Sequence, residues 1–194
     1  QRLRPPLAYQ WLPPLDDVLR FGKNAPRAIY LRYRIIADEL FSLGIDSNCA
    51  PMMDIASEDT HDFLKNRCYG NTLEDVVKVG QVVAGGLLDG GVLPVLKHIP
   101  GHGRAVSDSH LDLPIVDTNG EVLRQSDFAA FEALNDLPMG MTAHITYAAL
   151  DERPATLSPK MMAVIREDIG FDGLMMTDDI TMKALTGSLA ELSR

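Results

Sequence analysis

The chain has 194 residues, of which 46% are hydrophobic and 23% charged, a composition typical of a globular protein with a sizeable core. Its formal net charge of −9 disfavours nucleic acid and anionic membranes as main partners, because both attract basic surfaces. No apolar run approaches the ~18–20 residues needed to cross a bilayer, and two cysteines, Cys49 and Cys68, are too few for a disulfide framework, so we expect free thiols.

Apolar residues at steps of three and four predict helices, and continuous apolar runs predict strands. In the first half of the chain, Pro26 begins a helix that ends before Gly44, and Asn71 or Thr72 caps a second helix that ends before Gly90. The predicted elements of this half are a helix over 26–43, a strand over 45–55, a helix over 72–89 and a strand over 92–98.

The second half of the chain repeats this alternation. Ser158 is placed to cap a helix, with Pro159 at its first position and Gly170 after its end. The predicted elements are a helix over about 121–134, a strand over 139–144, a helix over 159–169, a strand over 174–178 and a helix that starts after Asp179. None of the strands alternates cleanly in polarity, which is typical of parallel strands covered on both faces.

Alternating helices and strands indicate an α/β fold with a parallel sheet, either an open doubly wound sheet or a (β/α)₈ barrel. No glycine-rich phosphate loop follows a strand, as an open nucleotide-binding sheet would require. Polar residues follow all four strands instead, namely Asp54, 97–98, His144 and 178–179. Such residues converge on one active site in a barrel, so the barrel is favoured. A complete barrel needs eight strands and ~250 residues, so we expect an incomplete one.

The densest polar segment, residues 97–110, contains three of the five histidines. It can be a surface loop with incidental histidines, or a zinc site with His98, His102, Asp108 and His110 as ligands. It can also serve acid/base catalysis, because a carboxylate two residues from His110 can fix the tautomer of the imidazole and stabilise its protonated form. The glycine-rich sequence lacks the helical spacing of a typical metal-binding pair, which weakens the zinc interpretation.

A second polar cluster, Asp178 and Asp179, ends the fourth predicted strand. Adjacent side chains on a strand point to opposite sides, so one carboxylate can face the barrel mouth while the other caps the next helix. An ionised aspartate there can act as a nucleophile, although both residues can also be simple helix caps. Taken alone, Arg67 is typical of a surface ion pair and His144 of a buried core histidine.

The segment KHIPGHGRAVSDSHLDLP, residues 97–114, resembles the signature loop of family-3 β-N-acetylglucosaminidases, which usually reads K-H-F-P-G-H-G, a short spacer and D-S-H. Ile99 is the one departure in the heptapeptide. Further blocks are similar in the same order: NCAPMMDIA, NRCYG, MTAHITYAALD, PATLSP and GFDGLMMTDDITM. The resemblance therefore covers essentially the whole chain.

This resemblance implies a (β/α)₈ barrel and a glycosidase that retains the anomeric configuration without a cofactor or metal. Asp178 falls on the position of the nucleophile, and His110 on that of the general acid/base, with Asp108 as its partner. The residues on sugar-binding positions are Lys97, His98, Arg67 and Arg2. The implied substrate is a small cell-wall fragment that contains N-acetylglucosamine, and the implied setting is cytoplasmic peptidoglycan recycling.

The ends of the chain depart from the family pattern. The family's N-terminal strands, with an acidic D-x-E-G-G-R stretch, would precede Gln1, and its closing strands would follow residue 194. We therefore expect residues 1–194 to be part of a single catalytic barrel domain that lacks N-terminal and C-terminal βα units. Two alternatives stay open: a truncated, non-catalytic carbohydrate-binding remnant of such an enzyme, and a zinc-dependent hydrolase that uses the histidine loop.

Overall fold

The computed structural model describes residues 3, 5–107, 112–183 and 185. Its helices are α1 (Pro14–Phe21), α2 (Ala25–Ser42), α3 (Asp62–Lys65), α4 (Leu73–Leu88), α5 (Gly120–Gln125), α6 (Asp127–Glu132) and α7 (Pro159–Ala163). Its strands are β1 (Ser47–Asn48), β2 (Leu93–Ile99), β3 (Ile115–Val116), β4 (Met139–Thr142), β5 (Thr146–Tyr147) and β6 (Leu174–Thr177). One π-helical turn, Val164–Asp168, continues α7.

Four of the strands form one parallel sheet in the order β1-β2-β4-β6. Met139 of β4 lies between Val95 of β2 and Leu174 of β6, so these strands are in register and their carboxyl ends meet at one edge. A second, two-stranded parallel sheet joins β3 to β5. The predicted α/β fold with a parallel sheet is therefore confirmed.

In the hydrophobic core, α4 and α6 pack against β2 of the sheet, and α2 packs against α4. Ile29 and Ile36 of α2, Val83 of α4 and Leu96 of β2 are at most 1% exposed. Helices α2 and α4 approach closely at Gly86, where an added Cβ would lie 2.8 Å from a main-chain carbonyl oxygen of α2. None of the helices in the described ranges is both long and apolar enough to cross a membrane.

The predictions for the long helices are confirmed within about two residues. Thr72 caps α4 by accepting a hydrogen bond from the amide of Asp75 at 3.2 Å. Ser158 caps α7 by accepting one from the amide of Met161 at 2.9 Å. Three of the four predicted strands occur: β2 is shifted by one residue, and β4 and β6 end two residues and one residue early.

Two predicted elements were wrong. The strand over 45–55 is reduced to β1, because Pro51 has no amide proton to donate and the following residues run beside β2 irregularly. The single helix over 121–134 is broken at Ser126, whose hydroxyl bonds to the carbonyl of Val122 and the carboxylate of Asp127, each at 2.7 Å. After Asp179, residues 180–183 form turns, and the rest of that predicted helix lies outside the described residues.

Candidate active site

Polar side chains from separate parts of the chain meet at the carboxyl edge of the main sheet. Lys97 and His98 lie at the end of β2, Asp178 directly follows β6, and His144 lies two residues beyond β4. Asp54 ends the irregular segment that runs beside β2 and reaches the same edge. The parallel register brings these groups together, because every strand in the sheet ends on the same side.

Asp54 holds two parts of the histidine-rich segment in place. One carboxylate oxygen lies 2.7 Å from Nδ1 of His98, and the other accepts hydrogen bonds from the amides of His102 at 2.6 Å and of His98 at 3.4 Å. Burial of the fully enclosed carboxyl raises its pKa, but the attraction to His98 and these hydrogen bonds outweigh burial and hold the pKa of Asp54 below its usual value. Asp54 is therefore an anion that fixes the His98 ring with Nε2 directed away from it.

Asp178 lies on the other side of the His98 ring. Its Oδ2 is 3.9 Å from Nε2 of His98, and its Oδ1 accepts a hydrogen bond from the amide of Asp179 at 2.8 Å. Partial burial raises the pKa of Asp178, but His98, the Asp179 amide, His144 and Lys97 together lower it below the ordinary value. The side chain remains 30% exposed, so this carboxylate is both ionised at neutral pH and open to a ligand.

An open cleft of about 950 Å³ lies beside these groups. Lys97, His98 and Asp178 line it together with Arg67 and Asn48. Burial and the nearby Arg67 lower the pKa of Lys97, while the Asp178 carboxylate opposes that change. The cleft thus combines cationic donors, an imidazole and a carboxylate, a set that suits a neutral ligand rich in hydroxyl groups.

The structure brings together four of the seven site residues predicted from the sequence, namely Lys97, His98, Arg67 and Asp178. The guanidinium of Arg67 lies over the ring of Phe63, 5.0 Å from its centre, which fixes its direction. The other three nominated residues, Arg2, Asp108 and His110, lie outside the described residues. Their proposed roles stay predictions.

Sequence reasoning did not assign Asp54 a role in the site. Asp54 contacts His98, which is 44 positions away in the chain, and a local sequence pattern cannot predict a contact between residues so far apart. Its place after an apolar segment, a feature that it shares with Asp178, put it among the residues expected at the active site but did not identify its partners. His144 was interpreted as a buried core histidine, and it is 1% exposed with both ring nitrogens hydrogen-bonded.

The zinc interpretation depends partly on Asp108 and His110, which are outside the described residues. Within the part of the chain that the structure describes, no three histidine, cysteine or acidic side chains are grouped as a metal site requires. Nδ1 of His98 is engaged by Asp54 at 2.7 Å. Burial lowers the pKa of His102 to about 4, so that ring is neutral.

Comparison with known proteins identifies one matching family and several relatives. Residues 18–192 match the family model described as the glycosyl hydrolase family 3 N terminal domain. The chain is 36% identical over 167 residues to β-hexosaminidase A of Pseudoalteromonas piscicida, covering 78% of this chain and 28% of the relative.

Two solved structures are also similar. A family 3 β-N-acetylglucosaminidase from Paenibacillus sp. has a TM-score of 0.79 at 35% identity, covering 82% of this chain and 31% of the other. NagZ from Neisseria gonorrhoeae in complex with N-trifluoroacetyl-D-glucosamine has a TM-score of 0.83 at 30% identity, covering 93% and 53%. The chain spans only 28%, 44% and 52% of three curated relatives that it matches.

Proposed function

Since the chain belongs to glycoside hydrolase family 3, we propose that it forms part of the catalytic domain of a retaining exo-β-N-acetylglucosaminidase. The proposed enzyme removes terminal β-linked N-acetylglucosamine from peptidoglycan fragments in the cytoplasm. The observation that carries the proposal is the ionised carboxylate of Asp178, which lines an open cleft 3.9 Å from the ring of His98. The amino-sugar ligand of the similar NagZ structure supports the choice of substrate.

The proposed fold is a (β/α)₈ barrel, of which residues 1–194 supply part of a single domain. Four parallel strands whose carboxyl ends carry the candidate site residues support this architecture. In the described part of the chain, β1 and β6 are the outer strands of the sheet. Leu174 of β6 is 65% exposed, as expected for a strand whose faces further βα units of the barrel would cover.

The proposed reaction has two steps. First, a carboxylate oxygen of Asp178 attacks the anomeric carbon while the bond from that carbon to the leaving oxygen breaks, and His110, paired with Asp108, gives its proton to the leaving oxygen. Second, His110 takes a proton from water, whose oxygen attacks the same carbon and displaces Asp178. Two inversions at one carbon return the original configuration.

In this scheme the remaining residues bind the sugar that is released. Lys97 and Arg67 supply cationic donors for hydroxyl groups, and Arg2 is assigned the same role by the family resemblance. His98 presents Nε2 to the cleft because Asp54 occupies Nδ1 at 2.7 Å. Holding both the sugar and the nucleophile in place lowers the entropic cost of the attack.

Release of 4-nitrophenol from 4-nitrophenyl β-N-acetylglucosaminide tests the proposal. It is measured for the protein encoded by the complete gene and for the 194-residue chain, with Asp178→Asn beside each. We expect Asp178→Asn to lower kcat by about a thousandfold or more, because an amide cannot form the covalent intermediate. Asp172→Asn is the matched control: Asp172 is an exposed carboxylate just before β6, and we expect its substitution to leave kcat unchanged.

A folded product of the complete gene that releases no 4-nitrophenol would overturn the proposed activity. If only the 194-residue chain is inactive but still binds N-acetylglucosamine, it is the carbohydrate-binding remnant. The sugar product also identifies the acceptor: with inorganic phosphate present, hydrolysis gives free N-acetylglucosamine, whereas phosphorolysis gives its 1-phosphate.

A further inference from the structure

His144 connects three elements behind the carboxylate of Asp178. It lies just beyond β4 and is 1% exposed. Its Nδ1 is 2.8 Å from the hydroxyl of Thr156, and its Nε2 is 3.1 Å from the main-chain oxygen of Asp179, the residue directly after Asp178. The ring therefore spans the gap between the segment before α7 and the end of β6.

These contacts fix the tautomer of His144. A carbonyl oxygen can only accept a hydrogen bond, so Nε2 must carry the proton that is donated to Asp179. In the neutral ring Nδ1 can only accept, so the single hydroxyl proton of Thr156 is shared between Nδ1 at 2.8 Å and the main-chain oxygen of Ala143 at 3.0 Å. Burial lowers the pKa of His144, which keeps the ring neutral at neutral pH. Thr156 is itself held 3.0 Å from the hydroxyl of Thr142 on β4.

The main chain around Asp178 is consequently fixed on both sides. Its amide donates to the carbonyl of Thr142 at 3.4 Å, and the next carbonyl, that of Asp179, accepts from His144 at 3.1 Å. Between these points the Asp179 amide donates to Oδ1 of Asp178 at 2.8 Å. The orientation of one peptide unit thus sets which carboxylate oxygen faces His98.

We infer that His144 is a positioning residue, which holds the Asp178–Asp179 main chain so that Oδ2 of Asp178 is aimed into the cleft. The inference rests on the proposed role of Asp178 as nucleophile. His144 lies behind this main chain and is absent from the lining of the cleft among the described residues. Its removal should therefore lower the rate of attack and leave sugar binding in place.

Three substitutions separate this role from simple packing. His144→Gln keeps a donor that can reach the carbonyl of Asp179, His144→Asn keeps only the shorter reach toward Thr156, and His144→Leu fills space without a donor. With 4-nitrophenyl β-N-acetylglucosaminide and the protein from the complete gene, we expect kcat to fall by about tenfold to a hundredfold for Asn and Leu. For the Gln variant kcat should fall less, and KM should change little in all three variants. His61→Gln, which alters a histidine outside the cleft, is the control.

Either of two results would overturn the inference: a kcat for His144→Leu equal to that of the wild type, or variants in which KM rises while kcat is unchanged. The Asp178 carboxyl carbon, followed by NMR during a pH titration of folded protein, gives a second readout that needs no turnover. Its titration should move in His144→Leu and stay near the wild-type position in His144→Gln. An unmoved titration in the Leu variant refutes positioning, whereas absent turnover by wild type refutes only the glycosidase proposal.

Discussion

Replacing Asp54 with asparagine is expected to affect both stability and sugar binding. The asparagine oxygen can still accept from the His102 amide, at present 2.6 Å away, but the amide nitrogen would face Nδ1 of His98, now 2.7 Å from the carboxylate. His98 must then turn or change tautomer, so either the nitrogen that faces the cleft or the protonation of that nitrogen changes. The perturbation removes one charge from a fully buried site without altering its volume.

The expected loss in the free energy of unfolding follows from these contacts. Hydrogen bonds to a charged acceptor contribute about 1.5–3 kcal/mol each, and two short ones are weakened or lost. Because asparagine also avoids the cost of burying an anion, we expect a net loss of about 3 kcal/mol at neutral pH. Asp46→Asn, which alters an exposed carboxylate before β1, should change stability by less than about 0.5 kcal/mol.

The sign of the pH dependence provides a stricter test. The folded pKa of Asp54 lies below its unfolded value, so its contribution is complete above the unfolded pKa and is lost as pH falls through the folded pKa. The difference between wild type and Asp54→Asn should therefore shrink on acidification. Urea unfolding followed by circular dichroism, at neutral pH and at the lowest pH where wild type stays folded, measures it. Equal midpoints at neutral pH, or a gap that widens in acid, would refute this reasoning.

Two further predictions concern packing and titration. Gly86→Ala should destabilise the protein by about 1–3 kcal/mol, because the added methyl group meets a main-chain carbonyl of α2. Gly85→Ala has open space around it and should stabilise α4 by about 0.5–1 kcal/mol. Thermal unfolding of the two variants checks both values. His102 has a folded pKa of about 4, so the unfolded chain binds more protons below neutral pH and stability should fall as pH drops from about 6.5 to 4. In His102→Gln that slope should flatten in urea titrations, and an unchanged slope would contradict the assignment.

The elements that the sequence predicted well are those whose signals are local. Helices α2 and α4 run for 18 and 16 residues, so their periodicity is repeated several times, and the two candidate caps Asn71 and Thr72 marked the start of α4 within one residue. The break at Ser126 was missed because it depends on Asp127, whose carboxylate also binds Arg104 at 2.7 Å from a distant loop. The spacing of apolar residues, from which the helix was predicted, contains no information about such a contact.

For the candidate site, too, the sequence predicted the residues that stand in local motifs and missed the roles that depend on distant contacts. Lys97, His98 and Asp178 stand in recognisable segments directly after strands, and parallel pairing brings such positions together without further information. The roles of Asp54 and His144 depend on hydrogen bonds to residues 44 and 35 positions away, which only the folded chain supplies. The roles proposed for Arg2, Asp108 and His110 stay predictions that rest on the family resemblance.

The three hydrogen bonds accepted by Asp54 restrict the routes by which this cleft can evolve. One carboxylate serves both the ring of His98 and the main chain at His102, so a change at position 54 alters two parts of the cleft in a single step. A substitution at position 54 therefore cannot change one part of the cleft without the other. Laboratory evolution toward other sugars should instead begin at Asn48 and Cys49, which line the same cleft from β1 and the residue after it.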